Sequence, residues 1–196
     1  MVDSLLAEQL RGYGEGVHFL VDWEIGCSLI GVARNRIAKR FLAFKEAACL
    51  VFVDADISWS GGALAALANR PEPVIGGTYR AKRDDVKFHL YGDAKPSGDA
   101  FLVDGLPGGF MKIDRSAFGA IKANAYLEDD GSETLDYFPS GFQDGRFYGE
   151  DYGFCALWRQ AGGSVFLDPS IKLRHHDGLR AFAGDPREWL ESRACH

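Results

Sequence analysis

The sequence lacks any apolar run long enough to cross a bilayer. The longest, Ala47 to Val53, has seven residues, whereas a membrane-spanning helix needs about twenty, so no transmembrane segment is expected. Positive charge is scarce as well: 22 Lys and Arg stand against 28 Asp and Glu, a net charge of −6, with no long basic run. Nonspecific nucleic-acid affinity comes mainly from cations that neutralise phosphates, so nucleic acid is not expected as a partner. Cys27, Cys49, Cys155 and Cys195 are scattered without a CxxC pair, which argues against a zinc site and a disulfide framework and suits reduced thiols in the cytoplasm. Met1 to Leu6 has no basic stretch followed by an apolar one, so no secretory signal is expected. Internal repeats and low-complexity linkers are missing too.

What is present is the composition of an ordinary globular protein, 46% hydrophobic and 26% charged with 24 Gly. A chain of 196 residues suits one sizeable core, and a single domain over 1–196 is expected.

Local patterning predicts a short helix from Asp3 to Arg11, glycine breaks at Gly12, Gly14 and Gly16, and a strand over Val17 to Val21. Ser28 stands where a helix N-cap would. Ile30, Ala33, Ile37, Phe41 and Phe44 then recur every three or four residues, an apolar stripe on a helix reaching about Ala47, with Arg34, Arg36, Lys39 and Arg40 mostly on the other side. Cys49 to Val53 reads as a strand covered on both faces, Gly61 to Asn69 as a helix ended by Pro71, and Pro73 to Tyr79 as a third strand. This alternation predicts an α/β fold of Rossmann type, with a mainly parallel central sheet and helices on both faces. Val86 to Tyr91, Phe101 to Val103 and Phe110 to Ile113 read as a small antiparallel extension. Ser116 to Ala123 and Glu150 to Ala161 read as helices, Tyr126 to Phe147 as one long loop, and Ser164 to Leu167 and Ile171 to Leu173 as strands.

Four segments could carry chemistry. Asp54 and Asp56 leave the end of a buried strand, where ligands of open α/β sheets sit, and alternate residues of an extended segment face the same way. Both carboxylates could then meet one diphosphate bridged by a hard cation. With 18 aspartates in the chain, chance alone yields about 1.6 such pairs, so position is what singles this one out; a solvated turn is the alternative. Glu150 and Asp151 open a helix, where they either complement its dipole or supply a general base. His175 and His176 follow a strand and would point to opposite faces, so only one of them could join a metal site. Gly108 and Gly109 would let a ligand approach the backbone closely, although a plain hairpin explains them equally well. Tyr79-Arg80-Ala81-Lys82-Arg83 reads as a solvated strand end, with phosphate binding as the alternative.

In this order, Ala33-Arg34-Asn35, the strand ending Asp54-Ala55-Asp56, Gly108-Gly109-Phe110-Met111, Gly149-Glu150-Asp151-Tyr152 and His176-Asp177-Gly178 resemble the GT-A glycosyltransferases, and among them the family 2-like nucleotide-sugar transferases. The resemblance runs from about residue 17 to residue 178. It implies a metal-dependent transferase that moves a sugar from a UDP- or GDP-sugar to an acceptor hydroxyl of a glycan, lipid or protein, with inversion. On that resemblance Asp54 contacts the donor ribose or the metal, Asp56 is the principal ligand of Mn2+ or Mg2+, and His176 is the third ligand, with His175 as fallback. Asp151 would be the catalytic base with Glu150 beside it. Arg34 and Asn35 would approach the nucleotide, and Gly108 and Gly109 would line the sugar and acceptor pocket. The family's first nucleotide-binding strand has no counterpart here, which opens the alternatives of a partner subunit or homo-oligomer completing the sheet, or of a noncatalytic binding subunit. A nucleotidyltransferase on a similar sheet is a further alternative, without a glycine-rich, Lys-containing phosphate loop near the N-terminus to support it.

Overall fold

The computed structural model of the chain describes residues 4–8, 16–143 and 145–194. After a helical turn at residues 4–8, its elements are helix α1 (Ile30–Ala43), strands β1 (Cys49–Val53) and β2 (Ile57–Trp59), helix α2 (Ala63–Ala68), and strands β3 (Val74–Gly76), β4 (Lys95–Ser97), β5 (Ala100–Val103) and β6 (Phe110–Asp114). Helix α3 (Arg115–Ala120), strands β7 (Asn124–Leu127), β8 (Glu133–Asp136), β9 (Gly141–Gln143) and β10 (Arg146–Tyr148), and helix α4 (Glu150–Gln160) follow. The chain closes with β11 (Val165–Leu167), β12 (Leu173–His176), β13 (Ala181–Phe182) and helix α5 (Pro186–Ala194). Gly12, Gly14, Cys195 and both ends of the Asp3 to Arg11 helix predicted above lie outside the described residues. Among those described, no helix is long and apolar enough to cross a membrane.

Six strands form the main sheet in the order β1-β6-β3-β11-β5-β4. Only β3 and β11 pair in parallel; every other neighbouring pair is antiparallel. The mainly parallel central sheet expected from the sequence is therefore wrong. Strand and helix do alternate, and β1 and β3 do share a direction, because each runs antiparallel to β6. Alternation sets the direction of successive strands and leaves open which later strand slides between them; here β6 does. Strand β1 accordingly sits at the sheet edge, with β6 on one side, rather than in the middle. Val17 to Val21 belongs to no strand, and Leu20 in it is 75% exposed.

The period-two alternation of strands divides the core in two. On one face Val74, Met111, Ile113 and Leu167 pack with Phe41 of α1, Phe118 of α3 and Phe154 and Trp158 of α4. On the other, Ile75 and Phe110 pack with Leu64 and Leu67 of α2 and with Ile57, Trp59 and Leu173 of a three-stranded sheet ordered β13-β12-β2.

The segment expected to be one long loop, Tyr126 to Phe147, is instead two hairpins flanking a buried clamp. β7 pairs with β8 across a turn containing Gly131 at φ 79°, and β9 pairs with β10 across Gly145 at φ 74°. Between them Phe138 is 1% exposed and stacks on Phe154, ring centroids 4.9 Å apart. Two glycines make room for this clamp. A Cβ on Gly31 of α1 would lie 2.7 Å from the Phe138 carbonyl oxygen, and one on Gly153 of α4 would lie 1.8 Å from that of Pro139.

Candidate functional site

The end of β1 turns sharply. Asp54 N–H donates to the Gly109 carbonyl (3.1 Å), and Ile57 N–H returns to the Asp54 carbonyl (3.1 Å), opening β2. β2 pairs antiparallel with β12, His175 opposite Ile57, and His176 N–H donates to the Asp56 carbonyl at 2.9 Å. Backbone hydrogen bonding alone therefore brings the Asp54 to Asp56 turn, the start of β6 and the end of β12 together.

Arg34 of α1 ties the turn to α4. The guanidinium donates to Asp54 Oδ1 (2.9 Å), Glu150 Oε1 (3.2 Å) and the Gly108 carbonyl (3.1 Å), and it lies over the Phe52 ring, 5.0 Å from the centroid. Arg34 is only 5% exposed. Burial opposes its charge, and Asp54, Glu150 and Asp151 more than restore it, holding its pKa above the ordinary value. The expected orientation of α1 is thus altered. Arg34, expected mostly opposite the apolar stripe, is buried with Asn35 alongside Ala38 and Phe41, because the carboxylates and the clamp supply acceptors and donors for them. Asn35 Nδ2 donates to Asp136, and its Oδ1 accepts from the backbone N–H groups of Tyr137 and Phe138. Arg34 reaches the site, while Asn35 holds the clamp.

Asp56 faces two partners. Its Oδ2 accepts from Lys82 Nζ at 2.5 Å and lies 3.3 Å from His175 Nε2. His175 Nδ1 is 2.9 Å from the Arg80 carbonyl, which can only accept, so Nδ1 carries a proton and Nε2 is the ring atom that faces Asp56. Burial raises the Asp56 pKa, and the Lys82 hydrogen bond and His175 more than reverse this, leaving it below the ordinary value. The resemblance made His176 the ligand and His175 the fallback. His176 Nε2 is instead 2.7 Å from Ser58 Oγ, and His175 is the ring that faces Asp56.

The Asp56 and His175 pair fits a divalent cation. Two ligands on one octahedral ion with bonds of about 2.1 Å stand about 3 Å apart, close to the 3.3 Å observed between Oδ2 and Nε2. Among the described residues no group of three or more His, Cys, Asp or Glu side chains forms a metal cluster, so the remaining ligands would be oxygens of a bound phosphate or water. One imidazole beside one carboxylate suits Mn2+ better than Mg2+. Asp54 Oδ1 instead accepts from Arg34.

Asp151 stands at the first turn of α4. Its Oδ2 accepts from Gly108 N–H (3.0 Å) and its Oδ1 from its neighbour Tyr152 N–H (2.8 Å). Burial and then the like charge of Glu150 raise its pKa, with the backbone donors opposing. Tyr79, 6% exposed, links the two halves of the site. A Cβ on Gly109 would lie 2.6 Å from the Tyr79 hydroxyl and 2.8 Å from Asp54 Oδ2, and the Tyr79 ring stacks edge-on against His175 with centroids 4.8 Å apart. Burial and then Asp54 and Asp151 push the phenol pKa well up, so the hydroxyl stays a donor. A Cβ on Gly108 would meet Arg34 Cζ at 2.6 Å. Both glycines therefore admit protein side chains, Arg34, Tyr79 and Asp54, over the β6 entrance.

Two contributors were not assigned to the site from sequence. Tyr79 and Lys82 lie in the segment read as a solvated strand end, whereas Tyr79 is buried and Lys82 pairs with Asp56. An aromatic followed by three cations just beyond a strand end was the available signal. A cavity of about 90 Å3 is walled by Tyr91, Tyr148 and Tyr152 together with Pro139 and Gln160, and Asp151 is not among its lining residues. A larger one of about 330 Å3, between α1 and the β7-β8 hairpin, contains none of the site residues.

No protein-family model matches the chain, and no curated protein does. A solved structure described as A197 from STIV is similar with a TM-score of 0.55 and 20% identity, covering 93% of this chain and 84% of that one. At this identity the likeness is one of fold.

Proposed function

We propose that the chain is a metal-dependent glycosyltransferase of GT-A type, moving a sugar from a nucleoside-diphosphate sugar to an acceptor hydroxyl. The observation that carries this reading is the convergence of three remote stretches on one site: Asp54 and Asp56, Glu150 and Asp151, and His175, joined through Arg34, Tyr79 and the Gly108 backbone. Asp56 and His175 would hold Mn2+ in preference to Mg2+. The ion, when bound, supplies positive charge to a diphosphate leaving group, so no acid is needed to protonate it.

The protein's own groups do the rest. Arg34 fixes Asp54 and Glu150 in place, and its charge limits the repulsion an anionic donor would meet. Asp151 accepts the proton of the attacking hydroxyl; its raised pKa makes it a better base than an ordinary aspartate. The two backbone N–H groups on its oxygens aim the carboxylate rather than leave it free to rotate. The cavity walled by Tyr91, Tyr148 and Tyr152, which α4 lines from Tyr152 onward, would offer an acceptor apolar ring faces. One base with attack opposite the leaving group inverts the anomeric carbon, unlike the two-carboxylate arrangement of a glycosidase.

Calorimetry of Mn2+ with UDP- and GDP-sugars, paired with an assay for sugar release or transfer, tests the reading. Metal-dependent donor binding that Asp56→Ala abolishes is expected, and donor binding indifferent to Asp56→Ala counts against it. A second reading, a binding module without turnover, draws on one observation: both Asp151 oxygens already accept backbone hydrogen bonds. It predicts donor binding with neither hydrolysis nor transfer.

A further inference from the structure

We propose that Lys82 is a transferable counter-ion: its ammonium holds Asp56 while the site is empty of donor, and moves to the donor diphosphate when a divalent cation takes Asp56. This rests on the function proposed above. The Lys82 Nζ to Asp56 Oδ2 contact of 2.5 Å sits on the same oxygen that faces His175 Nε2 at 3.3 Å. An ammonium and a divalent cation cannot share that oxygen, because like charges at ligand separation repel strongly even in a polar surface site. For the ion to bind, the ammonium must leave, and Lys82 is partly exposed on a flexible stem.

Its surroundings permit the movement. The Lys82 and Asp56 side chains are 34% and 40% exposed, so separating them buries no unpaired charge. The loop that carries Lys82 is pinned independently of it. Ala81 N–H donates to the Lys87 carbonyl (2.8 Å), His89 N–H donates to the Tyr79 carbonyl (3.1 Å), and Arg180 holds Asp84 (3.1 Å). The Arg80 carbonyl from the same loop orients His175. The backbone therefore keeps the imidazole aimed while the four-carbon stem of Lys82 swings.

Charge explains the destination. Asp54, Asp56, Glu150 and Asp151 contribute four negative charges against Arg34 and Lys82, so these six side chains sum to 2 − 4 = −2. A diphosphate entering such a site needs added positive charge beside it. A divalent ion on Asp56 supplies two, and Lys82, displaced by that ion and still tethered nearby, supplies a third to the phosphate oxygens. The same residue thus opposes the metal alone and favours the metal with its diphosphate.

The test uses the full chain as wild type, Lys82→Gln and Lys82→Arg. Mn2+ affinity is read from the free-ion electron paramagnetic resonance signal, and UDP or GDP affinity at saturating Mn2+ from calorimetry. Lys82→Gln is expected to bind Mn2+ alone about tenfold or more tighter, and the nucleoside diphosphate about tenfold weaker. Lys82→Arg, which keeps the charge, is expected to follow the wild type in both. Unchanged or weaker Mn2+ binding by Lys82→Gln overturns the inference while leaving the transferase reading intact, provided the wild type still binds Mn2+ with the diphosphate. A wild type that binds neither overturns both.

Discussion

Replacing Arg34 with Met keeps most of the side-chain volume and removes the charge that α1 contributes to the site. It deletes three hydrogen bonds, to Asp54, Glu150 and the Gly108 carbonyl, and the stacking over Phe52. Glu150, 18% exposed, keeps its charge without its cation, while Asp54, 39% exposed, can recover water. Breaking a buried ion pair by removing one partner costs about 3–5 kcal/mol; discounting the half that Asp54 screens leaves about 2 kcal/mol. At a urea dependence of about 2 kcal/mol per molar, the unfolding midpoint should fall by about 1 M. Much of the loss is the stranded carboxylate, so adding Glu150→Gln to Arg34→Met should return about 1 kcal/mol. Equilibrium urea unfolding followed by circular dichroism and tryptophan fluorescence reads both. A midpoint shift under about 0.3 M, or a double variant no more stable than Arg34→Met alone, would refute Arg34 as the electrostatic tie between β1 and α4.

Asn35→Ala should strand the Tyr137 and Phe138 amides and cost about 2–3 kcal/mol, with hydrogen exchange at those two amides accelerating before that of β6; equal protection would show that the clamp does not depend on Asn35. Gly153→Ala should destabilise by about 1–3 kcal/mol, since its Cβ would press on the Pro139 carbonyl, and a neutral melting temperature would contradict that packing. Because Asp151 must be ionised to take a proton, kcat/KM should rise with pH through its pKa, which burial and Glu150 lift above the ordinary 3.8. Glu150→Gln removes the repulsion, so the acid limb should move to lower pH; a limb that stays in place would mean that the two carboxylates do not couple.

The pieces of the fold that local pattern can specify were legible. β1 occupies the five residues Cys49–Val53 read from their apolar run, and α4 begins at Glu150, after Gly149. The sheet was not legible, because its direction pattern depends on β6 entering between β1 and β3, a long-range event that no window of sequence encodes. The two hairpins within 126–147 were hidden by polar and glycine-rich turns, and the burial of the Phe138 and Pro139 clamp between them depends on close approach to Gly31 and Gly153, both outside that segment. In the site, residue types at a strand end pointed to Asp54 and Asp56, and those at a helix start to Asp151. The choice between His175 and His176 turns on the pairing of β12 with β2, and the place of Lys82 turns on how its loop folds back; side-chain chemistry alone decides neither.

The central claim is that Asp56 and His175 share one divalent cation. Electron spin echo spectroscopy of Mn2+ bound in the presence of UDP or GDP addresses it directly, because an imidazole ligand imprints its nitrogen coupling on the metal signal. The account predicts a nitrogen modulation in the wild type that disappears in His175→Ala and persists in His176→Ala. A signal without nitrogen coupling, or one lost in His176→Ala and kept in His175→Ala, would contradict it.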